Sequence, residues 1–241
     1  MPASAVLPTG HRVLVPGGTG AVGEGVVRRY LAAGAEVVVP TRSEQRSAEF
    51  RDLLGDVADE HLHLVVHDYS TLAGSQALVD STVRFRGGID SVVAPIGGWW
   101  AGRTLAEIDQ DDWQRAFVDL ATTHIAVLRA SLPVMGVHGA YSIVVGDSAT
   151  WPVPGSGLVS MEQAAVLMMQ RVAQAEAGAT RRVFALQLGP VTTRLNPSGT
   201  VTADQVGAVA VAASAGTAVG RIVSLHDDTE VAHALAALAA S

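Results

Sequence analysis

Closely spaced glycines between residues 13 and 23 are the clearest chemical signal in this chain. The segment reads VLVPGGTGAVG, in which apolar residues lead into the glycines and an apolar run at helical spacing follows. A strand, a tight glycine turn and a helix in that order aim free backbone N–H groups at a pyrophosphate. A plain tight turn is the alternative, but the position between strand and helix favours phosphate binding. The predicted contacts are Gly17, Gly18, Thr19, Gly20, Val22 and Gly23.

Other residues with possible chemistry lie in or next to predicted strands. His61, His63 and His67 share the segment HLHLVVHD, but no second element supplies metal ligands, so we expect a solvated edge strand and no metal site. Trp99 and Trp100 come just after the fourth predicted strand, where such folds bind ligands. We expect them either to wall an apolar substrate or to pack as ordinary buried aromatics.

The elements that must position these residues alternate along the chain. Short apolar, β-branched segments between helical patterns predict an α/β fold, doubly wound, with a parallel seven-stranded sheet and helices on both faces. Strands are predicted at 12–15, 35–39, 62–66, 91–94, 141–145, 183–188 and 221–225, in the order 3-2-1-4-5-6-7. Helices are predicted at 23–33, 43–54, 72–85, 111–135, 160–177, 202–213 and 229–240. Because no repeat or linker interrupts the pattern, we expect one domain over residues 1–241.

Composition excludes several classes of function. The formal net charge is −7 and there is no basic run, so we expect no nucleic-acid partner. The sequence has no stretch of about 18 apolar residues, so we expect no membrane span. Its N-terminal segment has no basic region followed by an apolar one, so we expect no signal peptide. The absence of cysteine excludes disulfides and thiolate catalysis and fits a reducing compartment, so we expect a cytoplasmic protein.

Over nearly its whole length the sequence resembles the short-chain dehydrogenase/reductase family. The glycine loop is similar to the family's TGxxxGxG motif, and IDSVVAPIG, SIVVGDSAT and RVFALQLGPVTT are similar to segments that border its cleft. The resemblance implies a Rossmann fold, a nicotinamide dinucleotide cofactor and a small-molecule substrate. It also implies cofactor-binding roles for Asp68, Gly97, Gly189 and Val191 and a catalytic role for Ser148.

The choice of cofactor depends on Thr41 and Arg42, which come after the second predicted strand. Thr41 stands where NAD-preferring members of the family carry an acid, and Arg42 follows it. A basic residue at this point can pair with a 2′-phosphate. We therefore expect NADP in preference to NAD, with no cofactor as a further possibility. The alternative for Arg42 is a solvated loop arginine.

The catalytic helix departs from the family. In the family's YxxxK pair, the tyrosine protonates the carbonyl and the lysine lowers the tyrosine pKa. In GLVSMEQAAV these positions align with Val159 and Gln163. Valine has no proton to give, and neutral glutamine cannot lower the pKa of a phenol from about 10. Gln163 can still hydrogen-bond a ribose hydroxyl. The family's proton-relay asparagine aligns with Leu120.

A replacement proton donor has to come from another residue. The first candidate is Asp147, beside Ser148, and Glu162 is a second. His124 lies one helical turn after Leu120 and is a third candidate. Because this helix packs between subunits in the family, an interface role is the favoured alternative for His124.

Three kinds of function remain open. The first is an NADP(H)-dependent oxidoreductase of a small carbonyl or alcohol substrate, which we take as the prediction. The second is a catalytically inactive cofactor-binding or cofactor-free subunit or sensor, and the third is a non-redox cyclase, isomerase or lyase. We also expect a homodimer or homotetramer, built on apolar faces of the helices at 111–135 and 160–177. These faces contain Phe117, Leu120, Val127, Leu128, Val166, Leu167, Met168 and Val172.

Overall fold

The computed structural model describes residues 6–240, and within this range seven parallel strands form the main sheet. The described residues form nine strands in all, which are β1 (Arg12–Leu14), β2 (Glu36–Thr41), β3 (Leu62–Val66), β4 (Ser91–Ala94), β5 (Ala140–Gly146), β6 (Arg182–Leu188), β7 (Val191–Thr192), β8 (Val201–Thr202) and β9 (Ile222–Leu225). The order in the main sheet is β3-β2-β1-β4-β5-β6-β9. The predicted doubly wound order is confirmed, with β9 as the seventh strand. The short pair β7 and β8 was not predicted and forms a separate parallel ladder.

Helices cover both faces of this sheet. They are α1 (Ala21–Ala32), α2 (Glu44–Leu54), α3 (Leu72–Arg86), α4 (Gln110–Trp113), α5 (Asp119–Ser131), α6 (Gly157–Ala177), α7 (Ala203–Ala215) and α8 (Asp228–Ala239). Side chains alternate between the two faces: Val13 and Val15 belong to the apolar core with α1, α7 and α8, whereas Leu14 belongs to the core with α3, α5 and α6. In residues 6–240 no helix combines the length and the apolar character needed to cross a bilayer.

Capping residues determine where most of these helices begin. Ser43 accepts a hydrogen bond from the backbone of α2, and Thr202 forms a reciprocal capping box with Gln205 at the start of α7. The helix predicted at 202–213 therefore starts one residue later, with Thr202 as its N-cap. Helix α1 differs because its N-cap residue is Gly20 and no side chain caps it. Its first backbone N–H groups have no intrahelical acceptor.

The helix predicted at 111–135 is wrong in its detail. The helical segment begins at Gln110, contains a π-helical turn over Gln114–Val118, and ends at Ser131. The end falls two residues before Pro133, which lacks a backbone N–H and cannot continue the helix. A π-helical turn widens the backbone spiral, so side chains beyond it no longer follow the uniform 3.6-residue period that the prediction assumed.

The apolar faces that were predicted to join subunits are smaller in the structure than expected. Val127, Leu128, Val166 and Leu167 are buried in the chain's own core. The large apolar side chains that α5 and α6 leave exposed form a smaller set, which is Ile125, Met161, Met168 and Val172. Only two of the eight predicted contact residues are therefore exposed, because the sheet already covers most of the others.

Strand β3 forms one edge of the sheet, as predicted. His61 Nδ1 and His63 Nε2 hydrogen-bond the Glu36 carboxylate at 2.7 Å and 2.6 Å, and these bonds lower the pKa of Glu36. His67 instead bonds to the Gly74 carbonyl at 2.8 Å. His61 and His63 thus share Glu36, and His67 has a different partner. Across residues 6–240 no group of three or more acidic or histidine side chains has a metal-binding arrangement.

Candidate functional site

A cleft of about 380 Å³ opens at the carboxyl ends of β1, β2 and β4. This is the point at which the strand order reverses, where doubly wound sheets bind their ligands. Leu120 and Thr123 of α5 close one side of the cleft. Among the residues predicted to bind a cofactor, the cleft brings together Gly17, Thr19, Gly20, Arg42, Asp68 and Gly97.

The glycine turn has the close approaches that its sequence implies. Gly17 has a φ of 87°, and a Cβ atom there would lie 2.5 Å from the Pro95 carbonyl oxygen. A larger residue is excluded both by the backbone conformation and by this contact. Gly18 and Gly23 have no room for a Cβ because the turn folds tightly on itself and on Val39. They shape the loop from behind, as does Val22, which packs against the core.

Two arginines line the cleft beyond β2. Arg42 and Arg46 are exposed, and neither guanidinium makes a hydrogen bond or an ion pair within residues 6–240. Thr41 is 2% exposed and its hydroxyl bonds to Ser47 Oγ at 2.6 Å, so this hydroxyl already has a partner within the protein. Arg46 was missed by the sequence analysis. Its signal was the spacing of four residues from Arg42, across the Ser43 cap.

Asp68 and Tyr69 form the facing wall of the cleft. The Asp68 carboxylate accepts a hydrogen bond from the Ser70 backbone N–H at 2.9 Å, and this bond is the main reason that its pKa lies below the usual value. The charge of Arg42 contributes in the same direction. The cleft therefore holds one ionised carboxylate opposite two guanidinium groups.

Gln163 binds the end of β5. Its Oε1 accepts hydrogen bonds from the Gly146 backbone N–H at 2.5 Å and from Ser148 Oγ at 3.2 Å. Because a backbone N–H can only donate, the amide oxygen must face Gly146, and the amide nitrogen is left for another partner. Val159, one helical turn earlier on α6, is 3% exposed. Ser148 is thus held by Gln163, with no acid at the position of the family tyrosine.

The predicted lack of a tyrosine–lysine pair does not depend on the alignment of α6. All 16 basic residues of the sequence are arginines, so no lysine exists to lower the pKa of a tyrosine. Of the three tyrosines, Tyr30 and Tyr141 are fully buried in the core and Tyr69 follows β3. None of the three lies on α6, so this sequence contains no tyrosine–lysine pair.

Asp147, the first candidate for a replacement acid, belongs to a different cluster. Its Oδ1 lies 2.5 Å from His226 Nε2, and His226 Nδ1 lies 2.6 Å from Glu230 Oε2. Gln187 of β6 donates to the same Asp147 oxygen at 3.3 Å. Burial lowers the pKa of His226 most strongly, but the two carboxylates together raise it above its ordinary value. His226 was not predicted, because its contact with Asp147 spans 79 residues of sequence.

His124 and Glu162, which were separate candidates, face each other between α5 and α6. Each side chain is 2% exposed, and His124 Nε2 lies 3.8 Å from Glu162 Oε1. His124 Nε2 is also 3.1 Å from the carbonyl oxygen of Ile96, which lines the 380 Å³ cleft. The favoured interface role for His124 is corrected by this burial, because the ring packs inside its own chain.

The two tryptophans after β4 differ in environment. Trp100 Nε1 donates to Asp112 Oδ1 at 2.8 Å, which anchors its ring to the start of α4 and lowers the pKa of Asp112. Trp99 is 75% exposed and is not among the described residues that line the 380 Å³ cleft. Trp100 therefore has a packing role, and contact of Trp99 with a substrate stays a prediction.

Gly189 and Val191, predicted as cofactor contacts, follow β6 and are not among the described residues that line the 380 Å³ cleft. A Cβ at Gly189 would lie 3.2 Å from the His226 Cα, so a larger residue would need the neighbouring backbone to shift by a few tenths of an ångström. Val191 pairs with Val201 in the β7–β8 ladder. Contact of these two residues with a cofactor stays a prediction.

Sequence comparison identifies the family. A family model described as enoyl-(acyl carrier protein) reductase matches residues 18–241. A cis-2,3-dihydrobiphenyl-2,3-diol dehydrogenase from Paraburkholderia xenovorans (strain LB400) is 25% identical over 167 residues, which cover 67% of this chain and 59% of that protein. An NADP-dependent 3-hydroxy acid dehydrogenase from Escherichia coli (strain K12) is 26% identical over 156 residues, which cover 64% of this chain and 61% of that protein. The matched regions span less than two thirds of either relative.

Solved structures share the fold. A short-chain dehydrogenase from Burkholderia cenocepacia J2315 in complex with NADP has a TM-score of 0.79 at 20% identity, covering 90% of this chain and 96% of that one. A short-chain type dehydrogenase/reductase from Mycobacterium ulcerans has a TM-score of 0.81 at 22% identity, covering 94% and 92%. The chain therefore belongs to the short-chain dehydrogenase/reductase family of oxidoreductases.

Proposed function

We propose that this protein binds NADP(H) and acts as a divergent oxidoreductase on a small carbonyl or alcohol substrate. The observation that carries the choice of cofactor is the pair Arg42 and Arg46. Two guanidinium groups without acidic partners beyond β2 suit a 2′-phosphate, and Thr41 removes the acid that would repel it. The NADP-dependent relative from Escherichia coli supports the same cofactor.

The residues of the cleft fit the parts of such a cofactor. The uncapped start of α1 presents backbone N–H groups and the positive end of the helix dipole to a pyrophosphate. The N–H groups of Gly18 and Gly20 bond to carbonyl groups of Val15 and Gly17, which holds the preceding turn in shape. Asp68 lines the same cleft, and the family resemblance implies that it contacts the adenine. The amide nitrogen of Gln163 is the group on α6 that can donate to a ribose hydroxyl.

The bound nicotinamide supplies the hydride, and the protein has to orient the substrate and handle the proton. Ser148 has a single hydroxyl proton, which Gln163 accepts. To donate to a substrate carbonyl, Ser148 must turn away from Gln163. A hydroxyl group polarises a carbonyl, but with no linked proton source it is a much weaker acid than a phenol tuned by lysine. Turnover of simple ketones is therefore expected to be slow.

Calorimetric titration with NADPH and NADH tests this function. We expect wild type to bind NADPH at least about tenfold more tightly than NADH, and Arg42→Ala or Arg46→Ala to weaken NADPH binding by about tenfold or more. NADH binding should change little in either variant. The matched control is Arg51→Ala, which removes an exposed arginine from the same helix. Equal affinity for the two cofactors, or equal losses for both, would remove the arginines from the proposal.

A second function, cofactor binding without turnover, is favoured by the buried Val159 and by the lack of any lysine. The two functions separate in an assay that follows NADPH absorbance with a panel of aldehydes and ketones. An absorbance change that depends on substrate supports the oxidoreductase, whereas tight NADPH binding with no change supports a sensor or a partner subunit. Turnover of a compound without consumption of NADPH would instead indicate a non-redox enzyme.

We further propose a homodimer or homotetramer built on α5 and α6. The exposed set Ile125, Met161, Met168 and Val172 gives these two helices the apolar surface that such an assembly requires. Its small size, compared with the faces expected from the sequence, favours a modest contact area from each helix.

A further inference from the structure

The protonation of His124 follows from its neighbours. A carbonyl oxygen can only accept a hydrogen bond, so the contact between His124 Nε2 and the Ile96 carbonyl places a hydrogen on Nε2. In a neutral ring Nδ1 is then a bare acceptor, and within the described residues it has no partner. Burial lowers the pKa of His124 to about 4, more than the bond to Ile96 raises it. The ring is neutral unless it takes a proton from a neighbour.

That neighbour is Glu162. Its Oε1 also lacks a hydrogen-bond partner among the described residues, and burial raises the pKa of this carboxyl group to about 7. An isolated carboxylate at 2% exposure would be strongly unfavourable. Two arrangements avoid it, a neutral carboxyl beside a neutral ring, or a carboxylate beside an imidazolium. In both arrangements the pair keeps one transferable proton, which lies on Glu162 in the first and on His124 in the second.

The pair lies directly behind the cofactor cleft. Thr123, next to His124, lines the cleft, as does Leu120 one turn earlier on α5. On α6, Glu162 is adjacent to Gln163, which binds Ser148. Residues three apart share one helix face, so Glu162 is on the same side of α6 as Val159, the position of the family tyrosine.

The other polar groups near the end of β5 are less suited to releasing a proton. His226 has both ring nitrogens bound to carboxylates, and Asp147 accepts hydrogen bonds from His226 and Gln187. Ser148 donates its only proton to Gln163. By contrast, Glu162 Oε1 and His124 Nδ1 are buried polar atoms that have no hydrogen-bond partner among the described residues.

We propose that His124 and Glu162 form a proton-holding pair that supplies the proton consumed when the protein reduces a carbonyl compound. This proposal rests on the proposed oxidoreductase function. Hydride from NADPH forms the new C–H bond with its electron pair while the C=O π bond breaks, and the resulting alkoxide takes a proton relayed from Glu162 through water and Ser148. Glu162 becomes a carboxylate, which solvent reprotonates. Both residues act through other groups and do not touch the substrate.

The first test measures the proton without any cofactor. Carbon-13 NMR of protein labelled at glutamate carboxyl groups should show one carboxyl that ionises near pH 7, and this signal should vanish in Glu162→Gln. In His124→Gln the same carboxyl should titrate at a different pH, because its partner is gone. The control is Glu176→Gln, an exposed glutamate on the same helix. Ionisation of Glu162 below pH 6 would overturn the proposal.

The second test follows single-turnover reduction of an aldehyde by NADPH between pH 5 and 9. In wild type the rate should fall as the pH rises through 7. Glu162→Gln should lower the rate by about 100-fold and remove this pH dependence, Glu162→Asp should restore part of both, and Glu176→Gln should behave as wild type. A pH profile unchanged in Glu162→Gln refutes the role in proton supply, as does NADPH binding with no turnover. Failure to bind NADPH refutes the proposed function, while the NMR titration still decides whether the pair shares a proton.

Discussion

Replacing Glu162 by glutamine should stabilise the folded protein at neutral pH and leave its stability unchanged at pH 4. Glutamine has the shape of the neutral carboxyl group, so at low pH the substitution exchanges one neutral side chain for another. At neutral pH the unfolded wild-type chain ionises Glu162 freely in water, whereas the folded chain has to bury the charge or retain the proton. Glutamine avoids this cost.

The magnitude follows from the pKa of Glu162 in the two states. Burial raises it from the ordinary 4.5 to about 7, so between these pH values the folded chain binds a proton that the unfolded chain has released. The free energy of unfolding therefore falls as the pH rises across this window, by about 3 kcal/mol for one group. The contribution of His124 to the pH dependence of the unfolding free energy has the opposite sign. Its pKa falls from 6.5 to about 4 in the fold, so its contribution rises from pH 4 to pH 6.5 by a similar amount. In wild type the two effects largely cancel.

Urea denaturation followed by the fluorescence of the four tryptophans can measure this between pH 4 and pH 8. The informative quantity is the difference in unfolding free energy between a variant and wild type, because other titrating groups cancel in it. For Glu162→Gln the difference should grow towards greater stability, by up to about 3 kcal/mol, between pH 4.5 and pH 7. For His124→Gln the variant should lose stability relative to wild type between pH 4 and pH 6.5. A flat difference for Glu162→Gln, matching Glu176→Gln, would refute the reasoning.

Three further variants have defined outcomes. Val159→Tyr combined with Gln163→Lys should raise NADPH-dependent reduction of a simple ketone by about tenfold or more, since it restores a tuned phenol, and no gain would mean that the cofactor is not held in the family's pose. Met168→Glu should reduce the mass measured by light scattering to that of a monomer, and an unchanged mass would exclude this face from the contact. His226→Gln should lower the melting temperature more at pH 6 than at pH 9, because the protonated ring bonds two carboxylates and this stability is lost as the pH rises through its raised pKa. An equal loss at both pH values would contradict that assignment.

The sequence predicted the features that are set by local backbone constraints. Gly17 needs a positive φ and a close approach to Pro95, and such requirements leave a recognisable spacing in the chain. The strand order followed from the alternation of apolar segments and helices, because crossover rules leave few arrangements of parallel strands. Arg42 was placed correctly in the cleft because it immediately follows β2.

Contacts between distant elements could not be read from the sequence. His226 meets Asp147 only because β9 and β5 both flank β6. His124 and Glu162 were named as separate candidates, and only the packing of α5 on α6 brings them to 3.8 Å. The π-helical turn before α5 shows the same limit, since a periodicity analysis assumes one helical repeat throughout and cannot register a wider turn.

The bond from the Gly146 backbone N–H to Gln163 ties the end of β5 to α6 at the residue that aligns with the family lysine. Lysine alone at residue 163 would remove the acceptor of that partly buried N–H, and a donor left unsatisfied costs up to about 1–3 kcal/mol. Tyrosine alone at residue 159 would place a phenol in a protein that has no lysine to activate it. Neither single substitution supplies a tuned acid, so the two have to be introduced together, and the gain in proton supply has to exceed the cost of breaking the link between β5 and α6.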